Sequence, residues 1–487
     1  MASRRVLIGA LALMVLPGCL DGPGVPPVFT TTTVTGSTAP ITTTTGSATT
    51  EGAKGEAGAA GIGDPYFPTL GNGGYDVEHY DIALTVDPAT GTITDAQTTI
   101  TADAGIALSS FDLDFTGLDV LSVLVDDVTA GWRFEGEDLV VTPASTLPAG
   151  ETFVVTVDYR GRPVPVPIPS VGVSAGWIVD GAGVYVAAEP NGAHSWFPGN
   201  DHPSDKATFT ITVTVPVGWE VASNGTLVAE TSSGSTTTFS WAMDRPMATY
   251  LATIAVGDYR RVEFPTTDGI VRRDYLPPDM AADPPAAFDR TEEMIDFLTE
   301  WFGPYPFAEY GHVVVPSFPG ALETQTMTII GRDAIGEEVV VHELAHQWFG
   351  NDVSPATWSE VWLNEGFATF AEFIWIEHDL GPEAMQAYVD QLHAGLEGIP
   401  FRPITDPTEA ELFGSAVYWR GGLTLHALRL EVGDETMRQI LRAYAARFAG
   451  GNATTAEFVA LASGVAGQDL SPLLDPWLYD VALPPLP

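Results

Sequence analysis

Apolar and polar residues alternate with the period of a strand in segment after segment of the first half of this chain. Tyr80 to Val86 and Phe209 to Val215 place every second side chain on one face, and Phe153 to Val157 runs in β-branched residues. Gly, Pro, Asp and Asn punctuate these runs at short intervals, and no long helical period appears. Residues 64–262 are therefore expected to form a β-rich domain, with Leu251 to Val256 at its end. The pattern then changes. Pro277, Pro278, Pro284 and Pro285 mark a linker, a helix is expected from Ala286 to Gly303, and a strand from Gly311 to Val315 precedes the segment Pro316 to Met327. Helices dominate from there to the end. The fold class is α+β: a β-rich N-terminal domain followed by a mainly helical one over residues 263–487.

Within the helical half, Glu337 to Phe349 carries apolar residues on several sides, as a helix packed deep in a domain does. It holds His342-Glu343-Leu344-Ala345-His346. Two histidines at i and i+4 lie one turn apart on one face, so their imidazoles can converge on one ion. A second apolar helix, about Ser359 to Trp375, brings Glu365 near its start, with eighteen residues between His346 and Glu365. Two antiparallel helices joined through Gly350, Asn351, Asp352 and Pro355 would return Glu365 to the histidine pair. A His342, His346, Glu365 set leaves the fourth position of a tetrahedral zinc open, as catalysis requires, and favours zinc over cobalt or manganese. Glu343 is the natural general base. Glu372, seven residues beyond Glu365 on the same face, either orients a ligand imidazole or is an ordinary helix carboxylate.

Composition narrows the partners. The chain has 20 Lys+Arg against 63 Asp+Glu, formally −43, with Lys54 and Lys206 its only lysines. Such a surface repels nucleic acid. Two arginines by Arg5 precede an apolar run of eleven residues, Val6 to Leu16, which is too short to span a bilayer and suits a secretory signal over residues 1–18. It ends in Leu16-Pro17-Gly18-Cys19, which resembles a bacterial lipoprotein signal although Pro17 departs from the usual small residue. Cys19, the single cysteine, cannot form an internal disulfide, so lipidation is expected there; the alternative is a secreted protein that loses Cys19 with its signal. Residues 19–63 are rich in Thr, Gly, Ser and Pro and are expected to be a disordered tether. The expected location is outside the cytoplasmic membrane, lipid-anchored to the cell envelope. Asn-x-Thr sequons occur at Asn224 and Asn452.

Several further motifs carry a family likeness. Gly320-Ala321-Leu322-Glu323 stands about twenty residues before the histidine motif, and Tyr418-Trp419-Arg420-Gly421 follows it. In the β-rich half, Glu189-Pro190 precedes Phe197-Pro198, Asp201, Pro203 and Lys206-Ala207-Thr208-Phe209. Together with the zinc motif these resemble zinc aminopeptidases of the aminopeptidase N type, over roughly residues 75–487. The resemblance implies a saddle-like β-rich domain, a thermolysin-like catalytic domain and one zinc per chain. It implies that Glu323 and Glu189 hold the free α-amino group of a peptide, with Gly320 and Ala321 in the same substrate-binding loop, and that Tyr418 stabilises the oxyanion. Leu322 and Thr324 stand where Met and Asn are usual, and Ala187 where many members have Gln. Full-length members continue for several hundred residues into a helical domain that roofs the site. Nothing after Tyr479 in this sequence matches such a domain, and the expectation is a site without that roof and therefore more open.

The expected activity is hydrolysis of the N-terminal peptide bond of peptides with a free N-terminus, at a site between the two domains. Three rivals stand beside it. They are an endopeptidase with the same zinc chemistry, an epoxide hydrolase with side peptidase activity, and a non-catalytic surface lipoprotein on a relic fold.

Overall fold

The computed structural model describes residues 55–168, 172–264, 269–280, 284–399 and 401–487. The signal, Cys19 and most of the expected tether lie outside them. Among the described residues, no helix is long and apolar enough to cross a membrane.

The alternating segments form one eight-stranded sheet. Tyr75–Asp87 pairs with Thr92–Ala104 on one side and runs parallel to Lys206–Pro216 on the other, so the three quoted runs share a single surface. Tyr80, Ile82, Leu84, Val155, Val157, Phe209, Ile211 and Val213 face the core and are almost fully buried. A five-stranded sheet adds Gly183–Ala187 and Ile254–Gly257, and the end of Gly183–Ala187 delivers Glu189.

Two boundaries differ from expectation. Strand Arg260–Phe264 pairs antiparallel with Val271–Leu276, which pairs in parallel with Glu309–Val315. It therefore belongs to the five-stranded sheet of the catalytic half, so the β-rich domain ends before residue 262. That sheet also holds Ala321–Leu322 at its edge, so the second half is less purely helical than its sequence reads. At the other end, residues 55–63, assigned above to the tether, are part of the body. Glu56–Ala57 pairs with the strand Leu108–Asp114, and Ala59 bridges Gly73. Backbone hydrogen bonds hold this segment, and low-complexity composition carries no sign of them.

The helices also differ in detail. The helix expected from 286 to 303 is two, Ala286–Asp289 and Thr291–Phe302, broken at Arg290. The motif helix is Glu337–Ala345 with His346 as its C-cap. Beyond it the amides of Asn351, Asp352 and Val353 return to the carbonyls of His346, Gln347 and Trp348 in wide turns. Gly350 makes this possible at φ 126°, where an added Cβ would lie 3.2 Å from His346 Nδ1. The next helix, Trp362–Leu380, is buried along most of its length and crosses Gly421–Val432. At the crossing a Cβ on Gly366 would fall 2.8 Å from the Gly421 Cα. Only glycine at both positions lets the backbone beside Glu365 approach the turn that carries Tyr418.

Candidate metal centre and substrate site

The motif helix and Trp362–Leu380 bring His342, His346 and Glu365 together. Glu365 Oε2 lies 3.2 Å from His342 Nε2 and 3.5 Å from His346 Nε2. Donors about 2.0–2.1 Å from a tetrahedral zinc would be separated by roughly 3.3–3.4 Å, so the three atoms fit one such ion. The far nitrogens are fixed. His342 Nδ1 is 2.7 Å from Glu372 Oε1, and His346 Nδ1 is 3.1 Å from the Phe349 carbonyl. Each contact suits a Nδ1 proton and leaves the Nε2 lone pair for a metal. Glu372 thus sits behind a ligand imidazole, and its other oxygen accepts from the Tyr388 hydroxyl at 3.0 Å.

Three more carboxylates converge on this centre. Glu323, Glu343 and His346 offer atoms within 4.8 Å of one another, as do Glu189, Glu323 and Glu365. Glu189 Oε1, Glu323 Oε1 and Glu343 Oε2 are buried with no hydrogen-bond partner. Burial holds Glu189 and Glu323 above the usual carboxylate range, and Glu323 raises Glu189 further. Burial opposes charge on His342 as well, but Glu365 and Glu372 outweigh it and raise the imidazole. Burial comes first for the carboxylates; to it is added the negative charge crowded into one cavity, which also raises the imidazole. A dication at the His–Glu set and a monocation beside Glu189 and Glu323 would offset that charge.

Tyr418 lies in a π-turn, Ala416–Arg420, immediately before the helix Gly421–Val432. Its ring is nearly parallel to that of His342, 13° apart with centroids at 5.9 Å. Burial pushes its phenol well above the ordinary tyrosine value, so it stays protonated. Arg420, two residues on, turns away. Its guanidinium donates to the carbonyls of Trp477, Pro476 and Asp480 at 2.7, 2.7 and 2.6 Å and caps the last helix of the chain. Gly320 and Ala321 lie at the sheet edge, where Ala321–Leu322 pairs with Thr328–Gly331 on one side only.

Several residues that frame this site carry no motif. The Glu323 carbonyl accepts from Gln347 Nε2 at 3.1 Å and Asn351 Nδ2 at 2.7 Å. Thr326 sits at φ 66°, a strained region for a β-branched residue. Gln347 Oε1 takes its amide at 2.8 Å, and its hydroxyl oxygen takes the Gly225 amide at 2.7 Å. Asn224, read above as a sequon, is buried, and its Nδ2 donates to the carbonyls of Leu251 and Gln325. It holds the Glu323 loop and is not open to a glycan. These roles rest on contacts between distant segments, so no local spacing signals them.

The comparisons with known proteins agree with this geometry. Residues 76–251 match the peptidase M1 N-terminal domain and residues 286–477 the peptidase family M1 domain. The structure resembles an M1 zinc metallopeptidase from Deinococcus radiodurans at 35% identity and a TM-score of 0.82, covering 88% of this chain and 99% of that one. A variant of that protein bound to a Tyr-Ser-Ala substrate matches at 36% identity and a TM-score of 0.83, with the same coverage. Aminopeptidase M1 of Arabidopsis thaliana is 30% identical over 323 residues, 61% of this chain and 36% of that protein. The chain thus spans little more than a third of that curated relative. By sequence and by fold, this chain belongs to the peptidase M1 family.

Proposed function

We propose that the protein is a zinc-dependent aminopeptidase that hydrolyses the first peptide bond of peptides with a free N-terminus. One observation carries the reading beyond a generic zinc hydrolase. Buried, unpartnered oxygens of Glu189 and Glu323 lie beside the His342, His346, Glu365 set. A substrate ammonium satisfies both, whereas a mid-chain amide would leave two carboxylates desolvated and unpaired. The same observation disfavours the endopeptidase rival.

The residues divide the work. His342, His346 and Glu365 would hold zinc, which supplies Lewis-acid polarisation of the scissile carbonyl and makes an attacking water more acidic. Glu343 accepts the proton of that water and passes it to the departing amine. Tyr418 donates its hydroxyl proton in a hydrogen bond to the oxygen that gains charge. Glu189 and Glu323 hold the ammonium and so fix which bond reaches Glu343. The edge strand at Gly320 and Ala321 offers backbone groups to an extended peptide.

Replacing Glu323 or Glu189 with Gln removes one charge facing the ammonium. A charge-assisted hydrogen bond in a partly desolvated site contributes about 1.5–3 kcal/mol, so kcat/KM on aminoacyl chromogenic substrates should fall by about 10- to 150-fold. Zinc content should not change. Activity equal to wild type in both variants would refute the ammonium assignment.

The N-terminal features support a second proposal, that Cys19 carries a lipid that anchors the enzyme to the cell envelope. Stable residence needs more than one acyl chain or an added signal. Labelled fatty acid should enter wild type and not Cys19→Ser, and its failure to enter wild type would remove the anchor.

A further inference from the structure

The two carboxylates proposed above to hold the ammonium stand on different domains. Glu189 follows the β-rich domain's strand Gly183–Ala187, while Glu323 follows the edge strand Ala321–Leu322 of the catalytic half. Their separation is therefore set by whatever fixes one domain against the other.

Lys206 is the only lysine among the described residues, and it begins the strand Lys206–Pro216 of the β-rich domain. Its Nζ donates to three carbonyls of the catalytic half: Asn351 at 2.8 Å, Asp352 at 2.9 Å and Gly451 at 3.4 Å. Asn351 and Asp352 lie in the wide turn that closes the motif helix. Burial pushes the Lys206 ammonium down to about 7 while Asp352 beside it holds it up, and the three contacts belong to the protonated form. The connection continues through Asn351. Its carbonyl receives Lys206, and its Nδ2 holds the Glu323 carbonyl at 2.7 Å. One residue thus lies between the β-rich domain and the backbone of the ammonium-binding glutamate.

We propose that Lys206 is a positioning residue for ammonium recognition, which sets the distance between Glu189 and Glu323 by tying the Asn351 turn to the β-rich domain. The inference rests on the aminopeptidase reading. It assigns Lys206 an effect on binding of the free N-terminus, because the Asn351 side chain holds the Glu323 carbonyl; the Asn351 amide also meets the carbonyl of His346, so zinc content is the control that separates the two. Arginine is a poor replacement: its guanidinium is longer and planar, and its donors do not point where the tetrahedral ammonium of Lys206 meets these three carbonyls.

The test compares wild type, Lys206→Met, Lys206→Arg, Asn351→Ala and the Lys206→Met/Asn351→Ala double variant on one peptide, free and N-acetylated. Lys206→Met should raise KM for the free peptide by about tenfold with kcat within about threefold, the pattern of lost uniform binding. Zinc content and the slow cleavage of the acetylated peptide should stay as in wild type. Lys206→Arg should fall between wild type and Lys206→Met. Asn351→Ala, which leaves the lysine in place, should reproduce the KM effect, and the double variant should be no worse than the more affected single one. If Lys206→Met does not fold, Lys206→Arg and Asn351→Ala carry the same comparison. An unchanged KM, a loss confined to kcat or accompanied by zinc loss, or additive effects would overturn the proposal. A wild type that does not distinguish the two peptides would instead overturn the reading on which it rests.

Discussion

Glu343→Gln should retain about one zinc per chain while kcat falls by about 10²- to 10⁴-fold, the usual contribution of a positioned general base. The substitution is nearly isosteric and leaves His342, His346 and Glu365 untouched. Glu343 projects from the motif helix between the two histidines, with Oε2 buried and unpartnered. Burial raises its carboxyl, and the imidazoles of His342 and His346 pull it down. A dication close by pulls it down further and keeps it in the form that accepts a proton. The amide of Gln fills the same space and cannot take that proton. Metal analysis and turnover on a single preparation separate the two roles. Near-normal turnover, or zinc lost together with activity, would contradict the assignment of Glu343.

Tyr418→Phe should lower kcat by about 10²- to 10³-fold with KM and zinc content little changed, as for removal of one donor to a developing oxyanion. The change keeps the ring that lies parallel to His342 at 5.9 Å and deletes only the hydroxyl. The π-turn widens the helix at this point and lets the ring face the metal set while Val417 and Arg420 on either side are buried. A loss confined to KM would place the oxyanion donor elsewhere. Arg420 is then no substitute, since its guanidinium is engaged by the last helix of the chain.

The parts of this molecule that can be read from sequence are those fixed by the geometry of one element. Helix periodicity alone puts His342 and His346 on one face, and alternation alone puts Tyr80, Ile82 and Leu84 on one side of a sheet. Glu365 needed one more inference, that two apolar helices return on each other. What stayed hidden depends on contacts across long stretches of chain. Lys206 and Asn351 meet over 145 residues, and Asn224 reaches Gln325 over 101. Asn224 even carries a misleading surface signal, a sequon, because three residues of sequence hold no information on burial. The π-turn at Tyr418 leaves no sequence signal for a different reason: one added residue in a turn does not disturb the apolar residues Leu423, Leu425 and Leu428 of the helix that follows. The seam between the domains was misplaced because strand Arg260–Phe264 looks the same whichever sheet it joins.

Hydrolysis of one short peptide with its N-terminus free and acetylated, by wild type and by Glu323→Gln, each with zinc bound, tests the central claim most directly. The two orphaned carboxylates favour an ammonium by an amount of the order of one charge-assisted hydrogen bond each. Wild type should therefore cleave the free peptide, releasing its first residue, at least about 100-fold more efficiently than the acetylated one. Glu323→Gln should narrow that ratio chiefly by slowing cleavage of the free peptide. Equal cleavage of both peptides by wild type, or internal cleavage of the acetylated one, would contradict an aminopeptidase and leave a zinc endopeptidase in its place.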